Sequence, residues 1–97
     1  MTAALLSADA VHDLLIELHD WETDDEGEAL HTVYKFKDFA KALAFVNQVG
    51  ALAEAANHHP DFSLGWGYVG ITLSTHDAGG LTAKDATLAR QIVGLKK

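Results

Sequence analysis

One proline occurs in these 97 residues, and it stands directly behind Asn57-His58-His59. Proline lacks an N–H and pushes the residue before it away from helix, so Pro60 must end any helix that reaches it. Upstream, Phe39, Leu43, Val46 and Val49 or Gly50 recur at helical spacing, and Asp38 is placed to cap their start. The spacing predicts a helix from Asp38 to about Ala56, with those apolar residues inward and Asn57-His58-His59-Pro60 as its stop. Downstream the period shortens to two: Val69, Ile71 and Leu73 alternate with Gly70, Thr72 and Ser74, as in a half-buried strand. Phe62 to Trp66 supplies the other arm of a hairpin. Gly67-Tyr68 is read as its two-residue turn, with glycine at the first central position as type II′ requires.

The remaining segments fall on either side of this division. Ser7 can cap a first helix whose residues Val11, Leu14, Leu15 and Leu18 form one stripe, opposite Asp9, Asp13 and Glu17. A short strand around Trp21 turns through Asp24-Asp25-Glu26-Gly27 and returns as 29–36, with Leu30, Thr32, Tyr34 and Phe36 on one face. Near the end, Thr82 and Asp85 have the spacing of a capping box, followed by the stripe Leu88, Ala89, Ile92 and Val93. The order is α-β-β-α-β-β-α, which predicts an α+β fold: a four-stranded antiparallel sheet with three helices packed on one face. A sheet covered on one side leaves an edge or a face to protect, and self-association is one way to do so.

Composition narrows the function. A chain of 97 residues that is 48% apolar is read as a single domain spanning 1–97, with one core. A formal charge of -7 argues against direct nucleic-acid binding, which rests on clustered Lys and Arg. Much of the acid lies in the Asp20–Glu28 stretch and reads as a solvated hairpin. No apolar run approaches the roughly 20 residues that span a bilayer, and the N-terminal Met1-Thr-Ala-Ala-Leu-Leu-Ser7 lacks a signal-peptide pattern. The chain has no cysteine. Disulfides and thiolate zinc sites are thereby excluded, in keeping with a cytoplasmic protein.

The chemistry-bearing residues are concentrated in the second half: Glu54, His58, His59, Trp66, His76 and Asp85. Imidazole exchanges protons near neutral pH, so histidines without thiols point first to proton transfer and second to a metal. Structural roles are open to each of these residues as well. His58 and His59 could simply favour the C-terminal end of a helix dipole. Glu54 could be a surface acid, Asp85 the third residue of a capping box, and Trp66 a core or hairpin residue. His12, His19 and His31 show no arrangement. A zinc site would suit three histidines and a carboxylate, but adjacent His58 and His59 lack the i, i+4 spacing of ligands from one helix. No G-x-S-x-G elbow and no phosphate-binding glycine loop is present.

With these residues in view the chain resembles the pterin-4a-carbinolamine dehydratases over nearly its full length. The resemblance is carried by Phe36-Lys-Asp-Phe39, Glu54-x-x-x-His58-His59-Pro60, Trp66, Ser74-Thr75-His76-Asp77, and Gly80-Leu81-Thr82 followed by Asp85. Asn57 stands where some members have Asp. The resemblance implies a lyase that removes water from 4a-hydroxytetrahydrobiopterin-type pterins to give the quinonoid dihydropterin, in recycling the cofactor of aromatic amino-acid hydroxylases. It implies catalysis by His58, His59 and His76 with neither metal nor organic cofactor. His59 would be the acid toward the hydroxyl, with His58 and His76 sharing base and binding roles. Glu54 and Asp85 would orient the imidazoles, Trp66 would wall the pterin, and main-chain groups near Ser74 and Thr75 would pair with its ring edge. The expected partner is a small pterin, in a homodimer or homotetramer whose candidate surfaces are the long helix and a free sheet edge. Two other function classes stay open: a non-enzymatic interaction or coactivator module of the same fold, and a metal-dependent hydrolase.

Overall fold

A computed structural model describes residues 4–96; the first three residues of the stretch inspected for a signal peptide, and Lys97, lie outside that range. The elements are α1 (Ala8–Glu17), β1 (Glu22–Thr23), β2 (Leu30–Lys35), α2 (Phe39–Ala56), β3 (Asp61–Gly65), β4 (Tyr68–Leu73) and α3 (Ala83–Leu95), with a short 3₁₀ turn at His76–Ala78. The predicted order holds. The strands form one antiparallel sheet in the order β1-β2-β4-β3. No helix among the described residues is long and apolar enough to cross a membrane.

Each helix begins on the residue that the sequence nominates. The Ser7 hydroxyl accepts from the Ala10 N–H at 3.0 Å, Asp38 accepts from Lys41 at 2.9 Å, and Thr82 and Asp85 close a reciprocal capping box. The core lies between the helices and one face of the sheet, where Leu30, Thr32 and Tyr34 of β2 sit with Val69, Ile71 and Leu73 of β4. Leu14 and Leu18 from α1 and Ala86, Leu88, Ala89 and Ile92 from α3 close over them. The strand near Trp21 is shorter than its sequence suggests, with only Glu22 and Thr23 paired. Trp21 itself is buried in the core.

Two expectations are corrected. The buried face of α2 is Ala42, Phe45, Val49 and Ala53, whereas Phe39 and Leu43 are exposed and Val46 is partly covered. This helix is apolar on nearly every side, so periodicity alone does not choose its inner stripe. The choice is made by rings: Phe45 meets Tyr34 edge-on at 5.5 Å and Phe36 at 5.1 Å between centroids, a favoured aromatic geometry.

The second correction concerns the hairpin turn. Gly65 pairs with Tyr68, so the turn is Trp66-Gly67, and neither residue has a positive φ, unlike a type II′ turn. Gly65 explains the register. A Cβ there would lie 2.0 Å from the Tyr68 ring, so glycine lets the ring lie across the strand, and a larger residue would make the half-exposed ring move aside. Trp66 is thereby left at the tip, 71% exposed.

Candidate active site

The site starts where α2 stops. Asn57 takes the left-handed conformation, φ 50° and ψ 43°, which asparagine tolerates better than most residues. The reversal lets the His58 N–H reach the Ala53 carbonyl at 3.1 Å, tying off the last turn. It also separates the two imidazoles. His58 turns into the protein and is buried, while His59 stays exposed and its Nε2 pairs with Glu54 Oε2.

His58 meets the start of α3. Asp85 is 0% exposed, and both of its oxygens are used. Oδ2 accepts from the Thr82 N–H at 2.9 Å and from the Thr75 hydroxyl at 2.7 Å; Oδ1 lies 2.5 Å from His58 Nε2. An ionised carboxylate can only accept, so this network assigns the ring proton to His58 Nε2. Nδ1 is then the lone-pair nitrogen of the neutral ring. The capping box and the histidine orienter are the same side chain.

The third wall comes from the end of β4. The Ser74 hydroxyl donates to the Glu28 carbonyl at 2.9 Å, and Thr75 bridges to Gly80, its N–H reaching the Gly80 carbonyl at 2.9 Å. Between them the chain makes the His76–Ala78 turn, closed by Gly79 at φ 77°. The result is a cavity of about 310 Å³ lined by Asn57, His58, His59, Ser74, Thr75, His76, Asp77 and Lys84, the size range of a small-molecule site.

Of the residues singled out from sequence, His58, His59, His76, Ser74 and Thr75 line this cavity, and Glu54 and Asp85 stand behind its two adjacent histidines. Trp66 is not brought to it. It sits at the far end of the β3–β4 hairpin, about 20 Å along the strand from His59 at about 3.3 Å per residue. Sequence reasoning marks Asn57 as helix punctuation and as the position where some members have Asp, but not as a lining residue, and it misses Asp77 and Lys84 in that role. Lys84 has a recoverable signal: it lies in the first turn of the helix that carries Asp85 and is the one lysine or arginine among the described residues that line the cavity. His31 is engaged elsewhere, its Nδ1 2.9 Å from Thr72 Oγ1. Among the described residues, no three histidine or carboxylate side chains are grouped to hold a metal.

The family model for pterin 4 alpha carbinolamine dehydratase matches residues 4–95. A curated relative from Thermomicrobium roseum, named for that family, is 45% identical over 95% of this chain and 97% of its own. Another from a Cyanothece species is 46% identical over 98% and 96%. Among solved structures, a transcriptional coactivator/pterin dehydratase from Brucella melitensis superposes with a TM-score of 0.91 at 32% identity, covering 97% of this chain and 100% of that one. A pterin dehydratase-like protein identified as a RuBisCO assembly factor in the alpha-carboxysome superposes with a TM-score of 0.67 at 27% identity, covering 79% and 89%.

Proposed function

The chain belongs to the pterin-4a-carbinolamine dehydratase family, and we propose that it acts there as a hydro-lyase on 4a-hydroxytetrahydropterins. One observation carries this reading. Two adjacent histidines, each paired with its own carboxylate, line one cavity together with a third histidine. Elimination needs such a set. The N5 proton must leave and the C4a–O bond must break, so that C4a=N5 forms and the hydroxyl departs as water with a proton from an acid.

His58 suits the base. Asp85 holds its Nε2–H, so Nδ1 is the nitrogen that takes the N5 proton, and the buried carboxylate balances the charge as it forms. His59 suits the acid. Glu54 balances an imidazolium there, whose Nδ1 proton goes to the leaving hydroxyl, and exposure lets solvent reload it. The proton gained by His58 returns through the same solvent, closing the cycle. His76 shares base and binding roles from the turn that follows β4. Thr75 already uses its N–H and C=O within the loop, so the main chain at Ser74 is assigned to the pterin edge. Positioned acid–base groups of this kind contribute about 10²–10⁴-fold each. No step requires a metal or an organic cofactor, and recycling of a hydroxylase cofactor follows from the substrate. The deciding experiment is stopped-flow dehydration of chemically generated 4a-hydroxytetrahydropterin; a rate equal to the spontaneous one would overturn the reading.

A partner-binding role is a second reading, favoured by the exposed Phe39 and Leu43 on α2 and by the coactivator and assembly-factor names of the solved neighbours. Replacing both by Ser should leave dehydration intact and abolish any such association.

A further inference from the structure

A second cavity opens beside the histidine site. It holds about 250 Å³ between the end of α2 and the first two turns of α3, lined by Ala56, Ala83, Lys84, Thr87 and Leu88. Lys84 lines both cavities, and Ala56 directly precedes Asn57, which lines the first. The two are parts of one depression with two chemistries. Every residue around the histidine part is polar. The second part offers mainly methyl groups, with Leu88 buried beneath them, and no carboxylate lines it among the described residues. Lys84 marks the seam. Among the described residues the ion pairs are His58–Asp85, His59–Glu54 and Arg90–Glu17, so the Lys84 ammonium has no carboxylate partner. Acids outnumber lysines and arginines 14 to 7 in this chain, yet this cation at the site is left open to an anion from a ligand.

We propose that this groove holds the C6 substituent of the pterin, and that it selects pterins with an aryl carboxylate tail, as in a reduced folate. The pterin ring rests on the dehydratase reading above, and the tail goes beyond it. C6 is bonded to N5, the atom that gives its proton to His58 in that reading. It lies across the bicycle from the C2–N3 edge assigned to Ser74. The substituent thus leaves the ring beside His58, which joins the end of α2 to the start of α3, and the groove is formed by those same two elements. From Lys84 to Leu88 it follows α3 for about 6 Å, the length scale of one aromatic ring. An aryl group is stabilised by leaving water against Ala56, Ala83 and Thr87, and the Lys84 ammonium meets the carboxylate attached to it. A short dihydroxypropyl substituent would leave both the apolar wall and the cation unused. The bond changes at N5 and C4a are those already given; the tail supplies affinity.

Unreactive dihydro forms test the groove apart from the reaction. In fluorescence titrations 7,8-dihydrofolate should bind about tenfold more tightly than 6-methyl-7,8-dihydropterin, the gain expected from partial burial of one ring and one exposed ion pair. Thr87 and Ala56 are exposed, on α3 and α2 respectively, so both accept a larger side chain without disturbing the core. Thr87→Trp and Ala56→Leu each fill the groove, one from either helix, and should bring the two ligands to equal affinity. Lys84→Gln should weaken dihydrofolate about threefold, and Lys84→Arg should restore it. In stopped-flow dehydration, kcat/KM for 4a-hydroxytetrahydrofolate should exceed that for the 6-methyl compound by the same tenfold in the wild type. Equal wild-type affinities, binding of neither ligand, or an advantage that survives both groove-filling variants overturns the proposal. A wild type that shows the binding advantage yet removes no water from either substrate overturns the dehydratase reading and leaves the groove assignment standing.

Discussion

His58 Nε2 lies 2.5 Å from Asp85 Oδ1, joining the end of α2 to the start of α3 across 27 residues of sequence. Because the other oxygen of Asp85 caps α3, an imidazole orienter and a helix N-terminus share one buried carboxylate. Stability and chemistry should therefore respond differently to two substitutions at a single position.

Asp85→Ala removes the cap, takes the acceptor from the buried His58 Nε2–H, and leaves the Thr75 hydroxyl with Thr82 as its remaining partner. A stability loss of about 2–4 kcal/mol is expected in denaturant melts. Asp85→Asn keeps the shape and the acceptor for Thr82. Its amide, however, offers a donor to His58 Nε2 and forces the ring proton onto Nδ1, the wrong tautomer for a base. Turnover should fall by at least about 10²-fold with a smaller change in melting. Equal kinetics for Asp85→Asn and wild type would remove His58 from the base role.

His59→Ala should lower turnover by at least about 10²-fold while stability moves by no more than about 0.5 kcal/mol, as for other exposed positions. His12→Ala and His31→Ala should leave turnover nearly unchanged. A His59→Ala protein that melts early yet turns over normally would reduce the histidine pair to helix punctuation.

Asn57→Ala should cost about 1 kcal/mol, the penalty for an ordinary residue in the left-handed conformation. Asn57→Gly should be close to neutral in thermal melts. A larger kinetic than thermodynamic effect of Asn57→Gly would mark its side chain as a pterin contact.

Prolonged treatment with a strong chelator should leave the dehydration rate unchanged, since the proposed proton transfers pass only through imidazoles and carboxylates. Activity lost to chelator and restored by zinc would replace this mechanism with a hydrolytic-metal one.

Burial pushes the Tyr34 hydroxyl above its ordinary value, because the core disfavours phenolate. Its neutral form contributes stability below the unfolded pKa of about 10, and that contribution is lost as pH rises through the folded value. The melting temperature should decline more steeply above about pH 10 for wild type than for Tyr34→Phe. Parallel curves would show that another group controls alkaline unfolding.

Much of the fold is legible in short-range chemistry. Ser7, Asp38 and Thr82 each offer a side-chain oxygen to a helix start, and Pro60 forbids further helix. The sheet faces follow from alternation in Leu30, Thr32 and Tyr34 and in Val69, Ile71 and Leu73. What local pattern cannot decide is which of two apolar stripes α2 buries, because that depends on the Tyr34 and Phe36 rings across the core. The turn at Trp66-Gly67 likewise depends on the Tyr68 ring lying over Gly65. Within the site, the His58–Asp85 and His59–Glu54 pairs follow from residue types that the sequence singles out. Asn57, Asp77 and Lys84 do not, since lining a cavity leaves no trace in spacing.

Among the described residues, the acidic hairpin and the N-terminal segment bond to the elements of the site through their main chain. Ser74 reads the carbonyl of Glu28, and Leu6 bonds the carbonyl of Leu81 beside Thr82. Any residue can supply the carbonyl at 28, and any but proline the N–H at 6. The exposed acids of the hairpin are thus free to drift in charge without altering the hydrogen bonds that this segment makes to the site. A lineage could recolour the 20–28 surface for new company while its chemistry stayed under separate selection.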